Sequence, residues 1–110
     1  MSQPSDPVVI VATLQPLPGR EADVEAACRE AVRAVHTEPG CERFALHRGV
    51  NGSSSLVLLE KWSSAATLDD HTKAPAYAEL GAKLSGALAG PPDVVYLQPL
   101  PDGDDRLGVL

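Results

Sequence analysis

The chain has 110 residues, 44% hydrophobic and 22% charged, a balance that suits one globular domain and not a disordered segment. Formal net charge is -6, and the nine basic residues are scattered singly from Arg20 to Arg106. Nucleic acid binding needs grouped Lys and Arg to neutralise phosphates, so that class of partner is not expected. No apolar run approaches a membrane span and no basic leader precedes Val8, so no membrane partner is expected and the location expected is the cytoplasm.

Residues 1–7 read as a disordered lead-in, residues 8–98 as the folded domain and residues 99–110, rich in Pro, Gly and Asp, as a tail that is mobile or laid on a partner. Val8 to Leu14 is a β-branched run and predicts a strand buried on both faces. A helix follows from about Glu21 to Thr37, with Val24, Ala27, Cys28, Ala31 and Val35 on one stripe and acidic residues in its first turns. Glu38-Pro39-Gly40 stops it. Cys41 to Val50 predicts a second strand, with Phe44, Leu46 and Arg48 on one face and Arg43, Ala45 and His47 on the other. Asn51-Gly52-Ser53-Ser54 is a hairpin turn signal.

Ser55 to Trp62 predicts a third strand on which Leu56, Leu58, Glu60 and Trp62 share a face. Ser63 or Ser64 can cap a short helix to about Thr72. After Ala74-Pro75 a further helix is expected from about Ala76 to Leu88, with Tyr77, Leu80, Leu84 and Leu88 on one stripe and Gly81 beside them. Asp93 to Gln98 predicts the fourth strand. The order β-α-β-β-α-β is the ferredoxin-like pattern of the α+β class: a four-stranded antiparallel sheet with helices on one face. The other face, rich in Val, Leu and Ala, needs cover, and a homodimer joined face to face through its sheets would supply it.

Cys28 and Cys41 give no disulfide framework. Along the helix, Cys28 stands roughly 14 Å from the helix end that precedes Cys41, and a disulfide needs Cα atoms within about 7 Å. No metal is expected, because the three histidines lack ligand spacing and the cysteines lack CxxC. There is no glycine-rich phosphate loop and no GxSxG elbow. What remains is a group of aromatic and proton-transferring residues: Glu60 and Trp62 on one strand face, His71 nine residues beyond Trp62 on the next helix, and Tyr77 at the start of another. Glu60 can equally serve as a cross-strand partner for Arg48 or another basic residue. His47 lies away from Phe44, and His36 reads as a favourable charge at a helix C-terminus.

Pro18-Gly19, Glu38-Pro39-Gly40-Cys41, Leu46-His47-Arg48, Glu60-Lys61-Trp62, Leu68-x-x-His71 and Pro75, in this order and at these distances, resemble the antibiotic biosynthesis monooxygenase family of dimeric α/β barrels. The resemblance spans roughly residues 8–98. It implies a homodimer, a pocket between helices and sheet, and for some members oxidation of quinols or anthrone-like aromatics by O2 with no metal or flavin cofactor. On that resemblance Trp62 and His71 are the expected catalytic residues, Trp62 stacking a small aromatic substrate and His71 moving a proton or stabilising an anion. Tyr77, His47 and Glu60 are the expected substrate contacts. A haem-degrading branch of the superfamily carries an Asn on its first strand where this chain has Ala12 or a neighbour, which turns the expectation away from haem. Two alternatives stay open: a non-oxygenase enzyme for a small metabolite on the same scaffold, and a ligand-binding dimer without catalysis.

Overall fold

The alternating and helical stripes resolve, in a computed structural model that describes residues 5–110, into β1 (Val8–Leu14), α1 (Glu21–Val35), β2 (Cys41–Arg48), β3 (Leu56–Trp62), α2 (Ala65–Thr72), α3 (Pro75–Leu84) and β4 (Asp93–Leu97). Residues 1–4 of the expected lead-in lie outside the described residues. The sheet has the order β2-β3-β1-β4, and every neighbouring pair is antiparallel. This is the expected ferredoxin-like α+β fold.

Register explains the layering. Ile10 lies opposite Glu60 and Tyr96, Ala12 opposite Leu58 and Val94, and Phe44 opposite Glu60. Strand alternation therefore puts these residues, with Leu14, Leu56 and Trp62, on one face. The helices pack on that face and bury two clusters. Ile10, Ala12, Val35, Phe44, Leu58, Trp62 and Leu68 form one, and Leu14, Val24, Ala27, Cys28, Leu56, Leu84 and Ala87 form the other. Full burial of a Val, Leu, Ile or Phe side chain contributes about 1.5–3 kcal/mol.

Three expectations need correction. β1 is not buried on both faces: Val9 on the open side is buried, but Val11 and Thr13 stay half-exposed because the helices cover one side only. α1 ends at Val35, with His36 at its C-cap, and α3 ends at Leu84, four residues before the expected Leu88. At the second site Gly86 turns to φ +76, and the chain then runs beside the segment after β1. Leu17 N donates to Ala87 O at 2.9 Å and Ala89 N to Gln15 O at 2.7 Å, so these peptides bond outside the helix. The hairpin after β2 forms at the expected residues, with Asn51 at φ 58 and Gly52 at φ 89.

The open face carries Val11, Val57, Leu59, Val95 and Leu97, and β4 is exposed along its whole length. The end of the tail returns to this face, where Lys61 Nζ donates to Leu110 O at 2.6 Å. Among the described residues no helix is long and apolar enough to cross a membrane.

Candidate functional site

A cavity of about 260 Å³ lies between the covered face of the sheet and the helices α2 and α3. Ile10, Ala12 and Leu58 supply apolar floor, while Glu60, His71 and Tyr77 bring polar atoms to its wall. Tyr77 is 50% exposed and Tyr96 63%, which sets both phenols at the outer edge of the cavity. A mostly apolar hollow with a few convergent polar groups is the usual form of a small-molecule site.

Trp62 ties the polar groups together. Its indole N–H donates to Glu60 Oε1 at 3.0 Å, and its ring stacks on His71 with centroids 4.5 Å apart and planes at 29°. Phe44 meets the rings of Trp62 and His71 edge-on, and the His71 ring meets that of Tyr77 edge-on at 5.5 Å. Behind the cavity, His71 Nδ1 lies 2.8 Å from Glu38 Oε1. Among the described residues Glu60 Oε2 and His71 Nε2 have no hydrogen-bond partner. Each of these two residues thus keeps one polar atom for a ligand.

Local sequence explains the placement. Ser64 caps α2: its hydroxyl accepts from Thr67 N at 3.2 Å, and Thr67 Oγ1 accepts from Ser64 N at 3.2 Å. This capping box starts the helix two residues after β3 and folds it back over the indole. His71 is one helical turn beyond Thr67, so it comes down on the face of Trp62.

The expected role of Trp62 as a substrate stacker is corrected by this geometry. Trp62 is 0% exposed and does not line the cavity. One ring face is taken by His71 and the N–H by Glu60, so it is a strut behind the site. His47 is corrected too: it lies on the other face of β2, exposed, beside a separate hollow bordered by Arg29, Arg33 and Arg48. His71, Glu60 and Tyr77 are brought together as expected. The alternative for Glu60 as a partner of Arg48 fails, because Arg48 pairs with Glu25. His36 does more than face a helix end: its Nε2 donates to Phe44 O at 2.9 Å and fastens α1 to β2.

Electrostatics separates the buried groups. Burial raises the Glu60 carboxyl above its ordinary pKa, against the indole N–H and His71, which both lower it. Burial likewise pushes the Cys28 thiol up to about 11, and both cysteines are free. Among the described residues every side-chain N or O atom sealed from solvent has a hydrogen-bond partner. Glu60 Oε2 and His71 Nε2, which lack one, are therefore not sealed from solvent, and both residues line the cavity. No group of three or more His, Cys, Asp or Glu among the described residues could hold a metal ion.

Two residues of the site escape the sequence reading. Glu38 stands 33 positions from His71 and enters the sequence reading as part of a helix stop and of the motif before β2, and no spacing links it to His71. Tyr96 could be found from alternation on β4, once the register to Ile10 is known.

The same fold, with a minority of identical residues, occurs in known proteins. The family model described as antibiotic biosynthesis monooxygenase matches residues 7–83. A Mycobacterium tuberculosis protein, Rv0793, which carries only the provisional name of monooxygenase, is 29% identical over 96 residues, 87% of this chain and 94% of that protein. The solved structure of Rv0793 superposes with a TM-score of 0.83 at 28% identity, covering 90% of this chain and 100% of that one. A Caulobacter crescentus protein, provisionally named an antibiotic biosynthesis monooxygenase, gives a TM-score of 0.81 at 26% identity over 88% of this chain and 92% of its own. A similarly named protein from Nitrosomonas europaea gives 0.83 at 17% identity, over 91% of this chain and 96% of its own, which bears on fold alone.

Proposed function

The chain belongs to the antibiotic biosynthesis monooxygenase family, and from that premise we propose that it is a cofactor-independent monooxygenase that oxidises a quinol- or anthrone-like aromatic substrate with O2. The observation that carries this reading is the pair of buried polar residues, Glu60 and His71, each with one unpartnered atom, in a mostly apolar cavity. O2 reacts slowly with closed-shell molecules, but an electron-rich carbanion or phenolate can pass it one electron. The protein must then bind the ring system, take a proton and steady the anion.

In this mechanism a reacting methylene of an anthrone-like substrate gives a proton to His71 Nε2. The carbanion passes one electron to O2, and the radical pair joins through a new C–O bond. The peroxide takes the proton back, and its O–O bond breaks as the second hydrogen of the methylene leaves as a proton. A carbonyl remains. One oxygen atom ends in the product and the other in water, which carries both methylene hydrogens. Glu60, whose carboxyl burial pushes above its ordinary pKa, meets a substrate hydroxyl through Oε2. Tyr77 contacts the substrate at the rim. Trp62 holds Glu60 and His71 in place and does not touch the substrate.

Oxygen uptake is the test. Metal-free and flavin-free protein should consume O2 with anthrones, giving the corresponding anthraquinones, or with substituted hydroquinones, giving hydroxylated quinones, in each case with one oxygen atom of O2 in the product and the other in water. His71→Ala should lower kcat by about 100-fold or more, the usual range for a lost proton-transfer group. Turnover that persists without O2 would replace this reading with a non-oxygenase enzyme. Saturable binding with no product would leave a binding protein.

A further inference from the structure

Between α1 and β2 the chain makes the short loop Thr37 to Gly40, and it meets α2 at two points. Glu38 Oε1 lies 2.8 Å from His71 Nδ1, and Gly40 sits directly under Thr67, four residues earlier on the same helix. The glycine is required twice over. Its φ of +82 is a left-handed conformation, and a Cβ there would overlap Thr67 Cβ, which the capping box holds in place. Gly40 O also accepts from Ser63 N at 2.9 Å. The loop is therefore clamped to the end of β3 and the first turn of α2, and this clamp sets the height of Glu38 beside His71.

We propose that Glu38 is a positioning residue that fixes the proton of neutral His71 on Nδ1 and leaves Nε2 as the basic atom toward the cavity. A carboxylate only accepts hydrogen bonds, so the ring nitrogen facing it must donate. The second nitrogen of the neutral ring is then the lone-pair site. Both residues are largely out of water, with side-chain exposures of 6% for His71 and 15% for Glu38, which strengthens the bond against solvent competition. The ring cannot rotate out of this state cheaply, because Trp62 stacks on it and Phe44 and Tyr77 close its edges. The catalytic use of Nε2 rests on the function proposed above; the position of the proton does not.

Nitrogen-15 correlation spectra of the labelled full chain, recorded in alkaline buffer where imidazole is neutral, read the proton position without any substrate. His71 is assigned by comparison with His71→Gln. The wild type should show its proton on Nδ1. Glu38→Gln should keep it there, because the amide oxygen still accepts, whereas Glu38→Ala should move it to Nε2, the form free histidine prefers. A wild-type proton on Nε2, or an unchanged Nδ1–H in Glu38→Ala, overturns the proposal; if Glu38→Ala does not fold, the wild-type and Glu38→Gln spectra decide it. With a working substrate, Glu38→Ala should lower kcat by about 10- to 100-fold with KM little changed, and Glu38→Gln should recover part of it. A shifted proton in a protein that turns over no substrate would sink the oxygenase reading and leave this one standing.

Discussion

Glu60 lies on the covered face of β3 with one hydrogen bond, from Trp62 Nε1, and burial holds its pKa above the ordinary 4.5. The sign of the consequence follows from linkage. As pH rises through the ordinary carboxyl range, Glu60 ionises first in the unfolded chain, while the native protein keeps its proton. The unfolded state then binds fewer protons, so stability falls with rising pH until the native carboxyl also ionises, and is level above that. Glu60→Gln keeps an acceptor for the indole N–H but removes the titration. Urea unfolding of both proteins should therefore show near-equal stability in acid and a growing advantage for Glu60→Gln as pH rises to neutral. A difference that stays constant with pH would mean that Glu60 is not held in its protonated form by burial.

At the scale of elements, two glycines on either side of the site should respond to the same substitution with opposite signs. Gly40 terminates the loop at φ +82 against Thr67, so Gly40→Ala must bear left-handed strain of about 1–2 kcal/mol and also push α2 from its seat. Gly81 lies inside α3 with no left-handed φ, and the space where a Cβ would stand is open, with nothing within 4 Å. Gly81→Ala should stabilise the helix by up to about 1 kcal/mol, since glycine there only adds freedom to the unfolded chain. Thermal unfolding checks both: a lower midpoint for Gly40→Ala and a higher one for Gly81→Ala, with about 4–8 °C for each kcal/mol in a domain near this size. A neutral Gly40→Ala would show that the clamp on α2 is soft.

For the whole molecule, the open sheet face is the unfinished surface. On that face of β4, Val95 and Leu97 are each 43% exposed, and the strand has a paired neighbour, β1, on one side only. A solitary copy would leave this apolar strip in water, and contiguous exposed apolar patches mark association surfaces. The expected outcome is a homodimer in sedimentation equilibrium, at twice the chain mass of 11.5 kDa, and Val95→Lys should shift the population toward the monomer. A wild-type monomer at tens of micromolar would overturn the expectation and leave the tail, bonded at Lys61, as the main cover for that face.

The fold was legible in the sequence because its signals are local. Strand alternation, the stripe from Val24 to Val35, the Asn51-Gly52 turn and the Ser64 cap each report a backbone preference of a few neighbouring residues, and together they dictate the β-α-β-β-α-β order. Alternation likewise settled that Glu60 and Trp62 share the covered face. The end of α3 was not legible, because it depends on Gln15 and Leu17 offering Ala87 and Ala89 alternative hydrogen bonds from a distant segment. Nor was the division of labour inside the site. Trp62 has the chemistry of a stacking surface, but only packing decided that His71 takes one of its faces and that the indole is fully buried. Glu38 became the partner of His71 because a loop and a helix meet in space, a contact that no periodicity along the chain encodes. Sequence determined which side chains face inward; tertiary structure decided which of their atoms are already spent on one another and which remain free for a ligand.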